Sequence, residues 1–135
     1  PGKLDAAERA VIETHSRIGY DILRTSTAPI LQMAATIAHH HHEKWDGSGY
    51  PCRLAGTDIP EAARIVAVAD VFDALTMPRP YKEAWAPERV MNTMSEGAGK
   101  HFDPLMIERL HTVMPQIVEI QEQSRLRELA ESAQT

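Results

Sequence analysis

The segment Arg64-Ile-Val-Ala-Val-Ala-Asp70-Val-Phe-Asp73-Ala-Leu75 is apolar nearly all round when wound as a helix, and it constrains the fold more than any other stretch. A helix without a polar face needs neighbours on most sides, so the chain is expected to form an all-α bundle with this helix at its centre. The 135 residues are 43% hydrophobic but only 5% aromatic, which favours helix packing over a sandwich or barrel and leaves enough apolar material for one core. Asp70 and Asp73 lie on one side of the central helix. An ionised carboxylate enclosed in such a bundle is costly unless paired, so Asp70 points to a cation shared with histidines of neighbouring helices.

Those histidines are placed by the flanking periodicity. Asp5 followed by Glu8 resembles a capping box, and Val11, His15, Ile18 and Ile22 then recur at steps of three and four, which puts His15 on the face expected to meet the core. Pro29 opens a second helix with Ile30, Met33, Ile37 and His41 on one face and His42 beside it. The run His39 to His42 is embedded between this helix and a loop, unlike a terminal purification tag. His39 and His40 are expected to face solvent or the next helix and are left out of the site. His15, His41, His42 and Asp70 offer mixed nitrogen and oxygen donors suited to iron, manganese, zinc or nickel rather than calcium.

From Asp46 to Pro60 three glycines and two prolines predict a surface loop. Met77-Pro78-Arg79-Pro80-Tyr81-Lys82 breaks the central helix. Pro87 then starts a short helix that stops before Gly97, and Asp103-Pro104 starts another that Pro115 should end or kink. Three short helices are therefore expected after the centre. The domain proper is placed at residues 1–114 and a polar helical tail at 115–135. Asp73 reads either as an acceptor orienting a metal ligand or as a helix residue bonded to an Arg. Arg79 and Lys82 read either as a phosphate-contacting pair or as two solvated charges.

A formal charge of −5 argues against polymeric nucleic acid as a partner. Cys52 is the single cysteine, and no apolar run approaches the roughly 20 residues of a membrane span, so a reducing, cytoplasmic setting is expected. The first residue is Pro1, so the chain is expected to be part of something longer.

The string His41-His42-Glu43-Lys44-Trp45-Asp46-Gly47-Ser48-Gly49-Tyr50-Pro51, followed by Asp70-Val-Phe-Asp73-Ala-Leu75-Thr76, Arg79-Pro80-Tyr81-Lys82 and Gly99-Lys100-His101-Phe102-Asp103-Pro104, closely resembles the HD-GYP domain. The resemblance implies a helical bundle of the HD-domain phosphohydrolase type, with about five to seven helices, that hydrolyses cyclic di-GMP to pGpG and GMP with two or three divalent ions, iron or manganese ahead of zinc or nickel. By resemblance His15, His41, His42 and Asp70 match the family's metal ligands, with Asp70 and His42 catalytic. Arg79 and Lys82 match its phosphate-contacting pair. Gly49, Tyr50 and Pro51 match the signature loop, where Tyr50 either stacks on guanine or shapes the loop, and which is linked to contacts with GGDEF-domain proteins. The His-Asp pair that names the family would stand upstream of a segment like Pro1-Gly2-Lys3-Leu4 and does not occur in these 135 residues. The N-terminal part of the domain, and a sensory or receiver domain before it, are expected to lie outside the chain. Failing that, the alternative is a catalytically incomplete module that works through protein contacts of its loop.

Overall fold

The computed structural model describes residues 5–77 and 84–132. Five α-helices follow one another: α1 (Ala6–Leu23), α2 (Pro29–His40), α3 (Glu61–Thr76), α4 (Pro87–Glu96) and α5 (Pro104–Ser132), with a 3-10 turn at Gly56–Asp58 in the long loop after α2. The chain is all-α, with α3 in contact with α2, α4 and α5. The helix starts follow the capping chemistry. Asp5 accepts the Glu8 N–H at 2.8 Å while the Glu8 carboxylate accepts the Asp5 N–H at 2.9 Å. Pro29 and Pro87 occupy first-turn positions, where a missing N–H costs nothing. At the end of α3, Met77 is extended (ψ 133°), the conformation imposed on a residue that precedes a proline.

The core lies under α3, α4 and the first half of α5. Val68, Val90, Met94, Phe102, Ile107 and Leu110 form one buried cluster, and Phe72, Leu75 and Met114 pack against it. Each such side chain contributes about 1.5–3 kcal/mol on burial. Gly97, after α4, permits the tight return: a Cβ there would stand 2.8 Å from the Phe102 ring.

Three expectations are corrected. Val11, Ile18 and Ile22 are 70%, 55% and 71% exposed, and Ile30 and Met33 also face solvent, so the large aliphatic stripes of α1 and α2 do not meet the core. The two helices approach through small residues instead. Ser16 and Ala35 are buried, and a Cβ on Gly19 would lie 3.2 Å from that of Ala38, a separation that bulkier side chains would prevent. Asp70 is likewise exposed rather than enclosed, because α3 buries the Ala63, Ala67 and Val68 side and turns Ile65, Ala69, Asp70 and Asp73 outward. Finally, α5 does not end at Pro115 but runs from Pro104 to Ser132, so the described residues after α3 form one short and one long helix, not three short ones. The proline removes one main-chain bond, yet Ile107, Leu110, Met114 and Ile117 share one face across it and pack on the same cluster, which holds the helix through the interruption.

Candidate metal centre and signature loop

His15 projects from α1, and His41 and His42 stand at the C-terminal end of α2. Their Nε2 atoms converge: His42 to His15 is 3.1 Å and His15 to His41 is 3.4 Å. Nδ1 of His15 lies 2.6 Å from the Ile12 carbonyl oxygen, and Nδ1 of His41 lies 3.0 and 3.1 Å from those of Ala38 and Ile37. A carbonyl oxygen only accepts, so both Nδ1 atoms must carry the proton and both Nε2 atoms present lone pairs. In the neutral rings both lone pairs are directed to one place, where a cation would accept both. Metal–imidazole bonds of about 2.0–2.1 Å place neighbouring nitrogens on one ion roughly 2.9–3.4 Å apart, so the three side chains fit a transition-metal cation.

The rings sit in a half-open notch rather than in the core: His15 is exposed, and His41 and His42 are half-buried. Burial, followed by the nearby His41 and His15, lowers the His42 pKa to about 4, against the opposing pull of Asp70. His42 is therefore neutral at physiological pH, the form that ligates. Asp70 acts on His42 through its charge but lies outside the set of converging donor atoms. Asp73 lines an open apolar groove of about 800 Å³ between α3 and α5, together with Ile65, Phe72 and Val113, and among the described residues its carboxylate bonds none of the imidazoles. Arg79 and Lys82 lie outside the described residues.

The loop that follows is folded back on the notch. The Tyr50 N–H donates to the His42 carbonyl at 3.2 Å, and the Tyr50 ring stacks on His42 with centroids 4.8 Å apart at 29°. The Tyr50–Pro51 peptide is cis. Gly49 is obligatory by space: a Cβ would stand 2.3–2.5 Å from Lys44 N, Glu43 Cα and His42 O, all of them main chain. Tyr50, Gly49 and Pro51 line a cleft of about 310 Å³ with Glu13, Ser48 and Arg53. Burial, and then Glu13, push the Tyr50 phenol up, so it stays protonated.

Glu43 and Arg64, which sequence reasoning left without a role, hold this loop together with Asp103, the expected cap of α5. Glu43, 2% exposed, accepts the N–H of Cys52 at 2.7 Å and of Leu54 at 3.1 Å. Arg64 donates to the Ile59 carbonyl at 2.9 Å, pairs with Asp103 and lies 5.9 Å from the Trp45 ring, while Asp103 also caps α5 by accepting the Leu105 N–H at 2.9 Å. The carbonyls of His101 and Lys100 accept the N–H groups of Trp45 and Asp46. Burial, aided by Lys44, holds the His101 ring below the ordinary imidazole range. A glutamate directly after a histidine run, and an arginine opening an otherwise apolar helix, were the available signals.

Residues 1–106 match the family model described as HD domain. The chain belongs to the HD domain family. Within the HD domain family it is 50% identical over 110 residues to a 3'3'-cGAMP-specific phosphodiesterase of Vibrio cholerae, covering 82% of this chain and 21% of that protein. It is equally 50% identical over 110 residues to a cyclic di-GMP phosphodiesterase response regulator of Xanthomonas campestris, of which it covers 29%. In three dimensions it is similar to a cyclic GMP-AMP specific phosphodiesterase of V. cholerae, with a TM-score of 0.63 at 27% identity over 87% of this chain and 25% of that one. The chain thus spans about a fifth to a third of the length of the relatives it matches. No described helix is long and apolar enough to cross a membrane.

Proposed function

We propose that this HD domain is the hydrolytic module of a metal-dependent cyclic dinucleotide phosphodiesterase that opens cyclic di-GMP to linear pGpG and then GMP, in the cytoplasm where that messenger is made. The observation that carries the reading is the convergence of the His15, His41 and His42 Nε2 atoms beside the cleft lined by Gly49, Tyr50 and Pro51. His15 and His41 have their lone pairs fixed inward by the bonds from Nδ1 to main-chain carbonyls, so no reorientation is needed when a ligand arrives. His42 stays neutral, and Asp70 adds negative charge beside it. In this reading the four side chains hold iron or manganese, and His42 and Asp70 count as catalytic because they would touch the ion. Divalent cations held there supply Lewis acidity and neutralise phosphate charge. Tyr50 lines the nucleotide cleft with its ring braced on His42, and Arg79 and Lys82 contact phosphate.

The test is hydrolysis of cyclic di-GMP by the chain loaded with Mn²⁺ or Fe²⁺, with linear pGpG read by chromatography and 3'3'-cGAMP run in parallel. Turnover is expected in a form of the chain extended N-terminally, where Asp70→Ala abolishes it; unaltered turnover in that variant removes the ligand assignment. A second reading has a specific observation behind it. Among the described residues, the donors that converge are three imidazoles without a carboxylate. A loaded, N-terminally extended chain that binds a GGDEF-domain protein through the Gly49-Tyr50-Pro51 loop but leaves cyclic di-GMP intact would favour a role in protein contact.

A further inference from the structure

The first two histidines of the run, His39 and His40, turn away from the triad and meet a residue from the far side of the loop. The His39 ring stacks on Tyr20 with centroids 4.5 Å apart at 19°, and its Nε2 lies 4.0 Å from Cys52 Sγ. One donor atom each from His39, His40 and Cys52 falls within a 4.8 Å sphere of mutual separation. His40 is half-buried, and its Nδ1 is a buried polar atom without a hydrogen-bond partner, 3.8 Å from the Glu43 carboxylate. An orphan of this kind is uncommon in a folded chain and is satisfied when that nitrogen itself meets a ligand.

The cluster is assembled rather than fortuitous. Glu43 holds the Cys52 and Leu54 N–H groups, and Arg53 between them adopts a left-handed φ of 56°, so the chain turns with the Cys52 thiol against α2. Tyr20 backs the His39 ring from α1. Two imidazoles and a thiol form a softer donor set than the all-nitrogen triad on the other side of the helix end, and it suits zinc better than iron or manganese. Cys52 and His39 are accessible enough for an ion to enter.

We propose that His39, His40 and Cys52 form a second metal site, separate from the His15/His41/His42 triad, that takes a zinc-class divalent cation and staples the segment after the signature loop to α2. Binding forms an S–Zn bond as the thiol proton leaves to solvent, with no change of oxidation state. The occupied site fixes Cys52, two residues beyond Tyr50, and so restrains the cleft from behind. Its occupancy does not depend on what the triad holds.

Co²⁺ is the probe, because a thiolate donor gives a sulfur-to-cobalt charge-transfer band in the near ultraviolet that an all-imidazole site cannot produce. The wild-type chain should develop the band, the His15→Ala chain should bring it to saturation at one Co²⁺ per chain, and Zn²⁺ should bleach it in both. Cys52→Ser and His39→Ala should abolish it, with helicity by circular dichroism unchanged, while His15→Ala keeps it. In the His15→Ala background, Zn²⁺ should slow alkylation of Cys52 by roughly tenfold or more. A wild-type chain without the band, a band that survives Cys52→Ser, one that vanishes with His15→Ala, or one that forms only as the chain dimerises would each overturn the proposal.

Discussion

Two polar clusters flank the long loop, and they are built on opposite logics. Around Glu43, Arg64 and Asp103 every buried charge is met: carboxylates accept main-chain N–H groups, and the guanidinium has a carbonyl, a carboxylate and an aromatic face. Between the middle of α1 and the end of α2, three imidazoles converge instead, with His15 Nε2 3.4 Å from that of His41, 3.1 Å from that of His42 and 3.5 Å from the Ser16 hydroxyl. The first arrangement is complete in itself and stabilises the fold. The second gathers imidazole nitrogens from two helices at one point, where a cation would take several of them at once, so it gains on binding. Satisfied and unsatisfied polar groups at similar depth thus separate what holds the loop from what the loop is held for.

The contrast is broken most severely at Asp103. Its side chain and that of Arg64 are 4% and 15% exposed, so Asp103→Ala leaves a largely buried cation unpaired and uncaps α5. A loss of about 3–5 kcal/mol is expected in urea denaturation, the range for removing one member of a buried pair. A loss under about 1 kcal/mol would place this pair with surface ion pairs and dissolve the distinction.

The triad should respond with the opposite sign. His15→Ala removes one of the facing lone pairs, and metal-free stability should stay within about 0.5 kcal/mol of wild type or rise. Adding Mn²⁺ at a hundredfold excess over its dissociation constant should stabilise the wild type by about 2.7 kcal/mol, read as a raised Tm, and leave the His15→Ala chain unmoved. A His15→Ala chain that loses several kcal/mol without metal would mean that the imidazoles are structural.

How much of this was legible depends on whether the signal was local. The capping box at Asp5 and Glu8 and the prolines at 29, 87 and 104 act within one turn, and they mark helix starts where the structure has them. The meeting of His15 with His41 and His42 was legible because His15 stands mid-way along α1 on the side that faces the C-terminal end of α2, where His41 and His42 lie. Which way a helix rotates about its axis is a tertiary matter. Large aliphatic residues on α1 and α2 looked inward-facing by spacing, but Ser16, Gly19, Ala35 and Ala38 permit a closer approach and take the contact. The exposure of Asp70 is the same error on α3. Glu43 carried no role in the sequence, because nothing local says that two amides nine and eleven residues on will fold back onto its carboxylate.

A smaller effect sharpens the boundary between the clusters. Gly49 touches both, since it packs on the main chain that leads from His42 into Glu43. Gly49→Ala forces Cβ against main-chain atoms that lack a flexible end to yield, and about 1–3 kcal/mol should be lost. The structural claim predicts that the bonds from Glu43 loosen together with the stacking of Tyr50, so amide exchange at Cys52 and Leu54 should quicken in the variant. Unchanged exchange there would show that the two halves of the loop move independently.

The mildest change tests what Tyr50 contributes. Its ring lies parallel enough to His42 to stack, and the hydroxyl takes part in none of the described hydrogen bonds, so Tyr50→Phe keeps the contact and removes only an oxygen at the cleft. Stability should move by less than about 0.5 kcal/mol, and metal binding should be untouched. If the ring acts by bracing His42, cyclic dinucleotide affinity is also preserved in Tyr50→Phe and falls in Tyr50→Leu, where bulk remains but the aromatic face is gone. If affinity falls equally in both, the hydroxyl rather than the ring is what the nucleotide meets, and the stacking on His42 serves only to aim it.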